Sequence, residues 1–194
     1  MILDIKRKVR RNLELIAGRL AWRGLSPNHL TVSGLALSGI AALSYGYREN
    51  ILAAVFLALG GVLDALDGAV ARAVGGVTKA GGVLDSTLDR IGEALIYTGI
   101  IAGGYCPAIL GLSALTSAYL VSYTRGRGEM EGIEMEGIGI GERPERLILL
   151  IIFTILNKIE LSIILLTGLS LFTVCQRIGH IAKRSGMEER EHNG

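Results

Sequence analysis

Cysteine is scarce in this sequence, and long polar stretches are nearly absent. The 194 residues include two cysteines, Cys106 and Cys175, and each lies in an apolar stretch. The sequence therefore excludes a disulfide framework and predicts no cysteine-ligated metal site. There is no internal repeat and no low-complexity tract. The basic start is not followed by a short apolar core and a small-residue cleavage site, so we expect no cleavable signal peptide.

Hydrophobic residues make up half of the chain, and its mean hydropathy is +0.46. A bilayer core about 30 Å thick needs about 20 mostly apolar residues per helix. Six stretches approach that length with their semi-polar ends, and they predict an all-α integral membrane protein with six transmembrane helices. These stretches are residues 29–47, 51–65, 83–104, 107–121, 147–156 and 161–175. The fifth crosses only if its helix begins near Pro144 and continues through Asn157.

The segment before the first apolar stretch has a pattern of its own. In residues 1–25, apolar side chains recur at helical spacing while lysine and arginine occupy the other faces. This pattern predicts an amphipathic helix in the membrane interface, held by its apolar stripe and by anionic headgroups. The alternative is an amphipathic helix that packs on a partner, and no nucleic acid is expected. Residues 26–182 form the predicted transmembrane domain, and residues 183–194 form a polar tail.

Positive charge is nearly absent from one side of the predicted topology. With six spans both termini share a side, and the other side keeps only Arg48 and Lys158 of the 20 lysine and arginine residues. Positive charge marks cytoplasmic loops. We therefore predict a multi-pass protein of the cell membrane, with its site and both termini facing the cytoplasm.

Four aspartates lie in or beside the second and third apolar stretches, where an ionisable group usually marks function. Asp64 and Asp67 are three residues apart and Asp85 and Asp89 are four apart, so each pair shares a helix face. Antiparallel spans bring all four to one cytoplasmic end, where they repel unless a cation intervenes. Oxygen ligands favour Mg²⁺, Mn²⁺ or Ca²⁺. The alternative is ion pairing with the nearby arginines Arg72 and Arg90.

Glycines and a helix start accompany the aspartates. Gly68 and the glycines of residues 75–82 let backbone approach a ligand closely. Divalent cations beside a glycine-rich turn suggest phosphate chemistry, in which the metal offsets the charge of a pyrophosphate. Ser26 and Pro27 predict a helix start, whose free N–H groups suit phosphate but also serve as an ordinary cap.

At these residues the chain resembles the CDP-alcohol phosphotransferases, membrane enzymes in which an alcohol displaces CMP from a CDP-linked lipid. Their signature is matched without a gap by Asp64-x2-Asp67-Gly68-x2-Ala71-Arg72-x8-Gly81-x3-Asp85-x3-Asp89. Six spans preceded by an interfacial helix are also the family's architecture. The resemblance therefore covers the whole chain.

The resemblance implies a role for each signature residue. Asp64, Asp67 and Asp85 would bind two Mg²⁺ ions, with Mn²⁺ as a possible substitute. Asp89 would ligate a metal and act as the general base on the acceptor hydroxyl, so Asp85 and Asp89 are the implied catalytic residues. The donor would be CDP-diacylglycerol or CDP-archaeol. Its implied contacts are Pro27, Asn28, Thr31, Gly68, Arg72, Thr78 and Gly81.

Arginines at three other helix ends favour an acceptor that carries a phosphate. They are Arg125, Arg127, Arg143, Arg146 and Arg177. All three ends lie on the predicted cytoplasmic side and can face the cavity of the aspartates, and arginine binds phosphate through paired hydrogen bonds. The alternative is that these arginines only anchor the topology, or pair with the glutamates Glu129, Glu142 and Glu145.

The same arginine stretches resemble the phosphatidylinositol-phosphate synthase branch of the family. The resemblance implies phospholipid biosynthesis, in which inositol 1-phosphate is the acceptor and phosphatidylinositol phosphate is the product. A similar archaeal branch uses CDP-archaeol and makes archaetidylinositol phosphate. Glycerol 3-phosphate or serine is the alternative acceptor. A divalent-cation carrier is the alternative outside enzymes, although a carrier predicts acids spread through the bilayer depth.

Small residues recur along the predicted spans. Examples are Gly34, Ser38 and Ala42 in the first span and Gly99 and Gly103 in the third. Small side chains let transmembrane helices approach closely. Homodimers are usual in the family, so the resemblance also implies a homodimer, with no face assigned to the interface.

Overall fold

The computed structural model describes residues 17–18, 26–73 and 78–192, and this part of the chain is all α-helical. It contains six helices and no strand. They are α1 (Pro27–Gly46), α2 (Asn50–Ala73), α3 (Lys79–Ala102), α4 (Ala108–Met130), α5 (Arg143–Ile155) and α6 (Ile159–His192). The predicted all-α class is therefore confirmed. The predicted interfacial helix lies outside the described residues except for Ala17 and Gly18, which are helical.

The start of α1 follows the predicted pattern. Ser26 occupies the cap position with extended backbone (φ −81°, ψ 150°), and Pro27 is the first helical residue. Proline suits this position because its missing N–H has no helical partner there. The hydroxyl of Ser26 does not cap the backbone and lies instead 3.1 Å from Nδ1 of His29.

The fifth helix begins where expected and ends early. α5 starts at Arg143, followed by Pro144, and stops at Ile155. The condition for a crossing, a helix that continues through Asn157, is not met, because Asn157 adopts a left-handed conformation (φ 55°) between α5 and α6. Its 13 residues span about 20 Å. That length is short of a bilayer core.

Two helices of the described part are long and apolar enough to cross a membrane. They are Asn50–Arg72 in α2 and Ile159–Ser185 in α6. Both extend beyond their apolar stretches, because no proline interrupts the polar ends. α2 therefore carries Asp64 and Asp67 inside a regular helix, and α6 continues as far as His192, through most of the segment predicted as a polar tail.

The chain forms two compact units, Met1–Gly99 and Ile100–Gly194. In the first unit α1 packs along α2, and in the second α6 packs against α4 and α5. Within the described helices, several small hydroxyl residues are buried and many large apolar residues are exposed. The buried set includes Ser117, Thr154, Ser162, Ser170 and Thr173, and the exposed set includes Leu43, Ile51, Val62, Ile109, Ile148 and Phe172. Large exposed apolar surface is typical of helices that face lipid.

Glycine permits a backbone contact between α1 and α3 in the first unit. A Cβ atom added to Gly99 would overlap the carbonyl group of Ala42. One at Gly92 would lie 3.0 Å from the hydroxyl of Ser38. The close packing that the small residues predicted is therefore present along this pair of helices.

We expect Gly99→Ala to destabilise the protein by about 1–3 kcal/mol, because the new methyl group meets rigid backbone and forces the helices apart. The measurement is the midpoint of thermal denaturation in detergent. Gly39→Ala is the matched control, since an added Cβ there has nothing within 4 Å. The control should not lose stability. Equal midpoints for the two variants would contradict the contact.

Candidate metal and phosphate site

Three aspartates meet where α2 ends and α3 begins. One carboxylate oxygen from each of Asp64, Asp67 and Asp85 lies within 4.8 Å of the other two. The helical spacing of Asp64 and Asp67 points both toward one face, and Asp85 lies in the second turn of α3. The predicted convergence is confirmed for these three residues, which we call the carboxylate triad.

The carboxylate triad is partly enclosed, and one member is held from a third helix. Asp67 is 7% exposed and Thr31 is 8% exposed. The Thr31 hydroxyl lies 3.2 Å from Oδ2 of Asp67 and 3.1 Å from the carbonyl oxygen of Pro27, so its one proton is shared between them. Three carboxylate oxygens this close repel each other. A hard divalent cation is the ligand that such an all-oxygen set fits.

Asp89 lies one helical turn beyond Asp85 and does not belong to the carboxylate triad. Its side chain is 17% exposed, and Oδ2 lies 3.5 Å from Nη1 of Arg90. The ion pair that the sequence offered as an alternative is therefore present. A partly exposed pair of this length contributes little free energy. The roles of Asp89 as metal ligand and general base stay predictions.

The residues predicted to contact the CDP group form two neighbourhoods. At the end of α2, an added Cβ on Gly68 would lie 3.5 Å from Nη1 of Arg72, so the Arg72 side chain extends over this glycine. At the start of α3, the N–H of Gly81 donates to the Thr78 hydroxyl at 3.0 Å. A Cβ on Gly81 would lie 3.7 Å from Oδ1 of Asn28. The starts of α1 and α3 therefore meet there.

Two of the five predicted acceptor arginines are buried in the second unit. Arg177 is 1% exposed, and its guanidinium donates to the backbone oxygens of Val121 and Ile138. Arg146 is also buried and donates from Nη1 to the carbonyl oxygen of Gly141 at 2.7 Å. Both side chains therefore hold residues 131–142, which join α4 to α5. Sequence spacing gave no signal of this role.

The other three arginines are more exposed. Arg125 Nε donates to Oε1 of Glu129 at 2.9 Å, and this hydrogen bond raises the pKa of the guanidinium. Arg127 pairs with Glu131 at 2.6 Å, and Arg143 is half-buried at the start of α5. Pairing of the arginines with glutamates is therefore present, as the alternative interpretation predicted, for both Glu129 and Glu142. Phosphate binding by these arginines stays a prediction.

The fold and the carboxylate triad define a class of protein. Residues 25–175 match the CDP-alcohol phosphatidyltransferase family. The chain belongs to this family, and the match contains the carboxylate triad and four of the five arginines, with Arg177 two residues beyond its end. The family resemblance seen in the signature is therefore confirmed.

Two enzymes with known activities are similar to this chain over most of its length. The chain is 41% identical to the archaetidylinositol phosphate synthase of Pyrococcus horikoshii, over 96% of this chain and 100% of that one. It is similar to the crystal structure of Mycobacterium tuberculosis phosphatidylinositol phosphate synthase with CDP-DAG bound (TM-score 0.76, 29% identity, 88% and 94% of the two chains). The same mycobacterial enzyme in complex with manganese and citrate also has a TM-score of 0.76, at 29% identity over 87% and 88% of the two chains.

Proposed function

We propose that this chain transfers the lipid phosphate group of a CDP-lipid to inositol 1-phosphate and releases CMP. The observation that carries the proposal is the carboxylate triad, three oxygens within 4.8 Å in a chain of the CDP-alcohol phosphatidyltransferase family. The names of the relatives support the acceptor. The product is archaetidylinositol phosphate or phosphatidylinositol phosphate, according to whether the donor is CDP-archaeol or CDP-diacylglycerol.

The donor site lies in the first unit in this proposal. Asp64, Asp67 and Asp85 hold two Mg²⁺ ions, with Asp89 as an additional ligand, and Mn²⁺ can replace Mg²⁺. When bound, divalent cations offset the negative charge of the pyrophosphate and of the CMP that leaves. Contacts to the CDP group come from two places. They are Gly68 and Arg72 at the end of α2, and Pro27, Asn28, Thr31, Thr78 and Gly81 at the starts of α1 and α3.

The transfer forms one bond and breaks one bond. The acceptor hydroxyl oxygen attacks the phosphorus that carries the lipid, and the bond from that phosphorus to the bridging oxygen breaks as CMP leaves. Asp89 takes the hydroxyl proton. Its half-buried position one turn beyond Asp85 supports this role, because it combines access for the acceptor with a fixed helical backbone.

The acceptor phosphate binds to arginines of the second unit. Arg127 is exposed, and Arg125 and Arg143 are partly exposed, so all three can reach a ligand. Arg146 and Arg177 belong to the same phosphate-binding set, although both are buried and also fix residues 131–142. Arginine recognises phosphate through its planar fork of donors, so this set favours a phosphorylated acceptor over serine.

We also propose a multi-pass protein of the cell membrane with its site and both termini in the cytoplasm. Support comes from the two helices able to cross a membrane, the lipid-facing side chains and the charge asymmetry of the sequence. All six described helices cross in this proposal. Because α5 ends at Ile155, before Asn157, its crossing in this proposal depends on local thinning of the bilayer. The enzyme acts as a homodimer, with no interface assigned.

An acceptor assay tests the proposed function. Purified protein with Mg²⁺ should release CMP when CDP-archaeol or CDP-diacylglycerol is combined with inositol 1-phosphate. Unphosphorylated inositol is the matched control and should give a rate lower by at least about 10²-fold. It lacks the phosphate group, whose hydrogen bonds to the arginines contribute several kcal/mol of binding free energy. Glycerol 3-phosphate and serine complete the series.

Three outcomes contradict the proposed function. CMP release with glycerol 3-phosphate but not inositol 1-phosphate would assign a different acceptor. Release with serine alone would remove the phosphate requirement. Uptake of divalent cations into liposomes without any CMP release would favour a carrier.

A further inference from the structure

The carboxylate of Glu142 is shared by two arginines from different helices. Its Oε1 lies 3.0 Å from Nη2 of Arg177 and 3.6 Å from Nη1 of Arg125. Glu142 is the residue immediately before α5, on extended backbone (φ −70°, ψ 168°). A single negative group therefore occupies two of the guanidinium groups that the proposed function assigns to the acceptor site.

Both arginines keep their positions through other contacts. Arg177 donates from Nε to the Ile138 carbonyl oxygen at 2.8 Å and from Nη1 to that of Val121. Arg125 is held by Glu129 at 2.9 Å. The carboxylate of Glu142 is therefore not required as a scaffold for either guanidinium.

In the ion pair between Glu142 and Arg177, Glu142 is the partner that can move. Its side chain is 31% exposed, whereas Arg177 is 1% exposed. Glu142 covers the Nη2 edge of Arg177, so an incoming anion reaches that edge by displacing the carboxylate. Arg146 and Arg125 repel Arg177, while Glu142 and Glu129 attract it. When Glu142 leaves, two arginines and one glutamate still act on Arg177, which favours an incoming anion.

We propose that Glu142 competes with the acceptor's phosphate for Arg125 and Arg177 and thereby selects which anions bind. The inference rests on the proposed function, in which the acceptor is the phosphate monoester of an alcohol. A small anion gains only the contacts of its own charge and must displace Glu142. An acceptor with hydroxyl groups makes additional hydrogen bonds that offset this displacement, so the carboxylate discriminates against inorganic phosphate and sulfate.

Glu142→Gln tests the competition because it keeps the shape of the side chain and removes its charge. We expect the dissociation constant for inorganic phosphate, measured by calorimetry without CDP-lipid, to fall about fivefold, equivalent to about 1 kcal/mol for one partly exposed ion pair. Inhibition of CMP release by inorganic phosphate should become stronger by the same factor. Glu145→Gln is the matched control, since it removes an exposed carboxylate three residues away. Its phosphate affinity should stay within about twofold of wild type.

A second variant keeps the test decisive if Glu142→Gln does not fold. Glu142→Asp retains the charge but withdraws it by one methylene group from Arg125, and we expect an intermediate affinity for phosphate. Weaker phosphate binding in either variant would show that Glu142 is a scaffold and would overturn the proposal, as would wild-type affinity in both. Tighter binding in Glu142→Gln without CMP release from inositol 1-phosphate by wild type would support the competition while rejecting the proposed function.

Discussion

We expect Asp67→Asn to lower the rate of CMP release by at least about 10³-fold, the loss of several kcal/mol of charge stabilisation at about 1.4 kcal/mol per factor of ten. Asp67 is the buried member of the carboxylate triad, and one of its carboxylate oxygens lies within 4.8 Å of an oxygen from each of the other two members. Asparagine keeps the shape and removes the charge that a cation requires. Electron paramagnetic resonance of added Mn²⁺, without substrate, should show weaker binding in the same variant.

A second substitution tests the hydroxyl group of Thr31, which contacts the Asp67 carboxylate. Thr31→Val removes the hydroxyl beside Asp67 and should weaken Mn²⁺ binding by about 10-fold to 100-fold, as substitutions behind a metal ligand do. Thr98→Val is the matched control, because the Thr98 hydroxyl donates to Ala94 of its own helix at 2.7 Å. Wild-type Mn²⁺ affinity in Asp67→Asn would rule out a metal role for the carboxylate triad.

Asp89→Asn should lower turnover by about 10²-fold to 10⁴-fold, the range in which a general base contributes. Binding of CDP-lipid should change little, since Asp89 lies outside the carboxylate triad. The measurement pairs CMP release at saturating substrates with CDP-lipid binding by calorimetry.

Arg90→Gln distinguishes the base role of Asp89 from its ion pair. This control breaks the contact of 3.5 Å but leaves the carboxylate in place. Its turnover should stay within about fivefold of wild type, because a partly exposed pair is worth about 1 kcal/mol or less. Wild-type turnover in Asp89→Asn would remove Asp89 from the mechanism.

The carboxylate triad was predictable from sequence because its geometry is mostly local. Helical spacing fixes the shared face of Asp64 and Asp67, and two antiparallel helices joined by a short connection bring Asp85 to the same end. The contact between Thr31 and Asp67 was not predictable, because the two residues are 36 positions apart on different helices. The family resemblance implied a role for Thr31 only as a contact of the CDP group.

Helix ends and arginine burial show where the sequence is less informative. An apolar run marks the part of a helix that suits lipid, and α2 and α6 continue past it because nothing in their polar ends breaks a helix. The turn at Asn157 depends on one backbone conformation, which no apolar pattern encodes. Arg177 follows the last apolar stretch of the sequence, yet it is buried because the carbonyl groups of residues 121 and 138 converge on it.

The hydrogen bond between α1 and Asp67 bears on how the protein is made. Thr31 and all three members of the carboxylate triad lie within the first compact unit, Met1–Gly99. The residues that bring the acids together are therefore synthesised before the helices of the second unit. A cation bound at that stage would neutralise the carboxylates, whose charge otherwise makes insertion into the membrane unfavourable. Supply of divalent metal would then influence the yield of inserted protein as well as the rate of the finished enzyme.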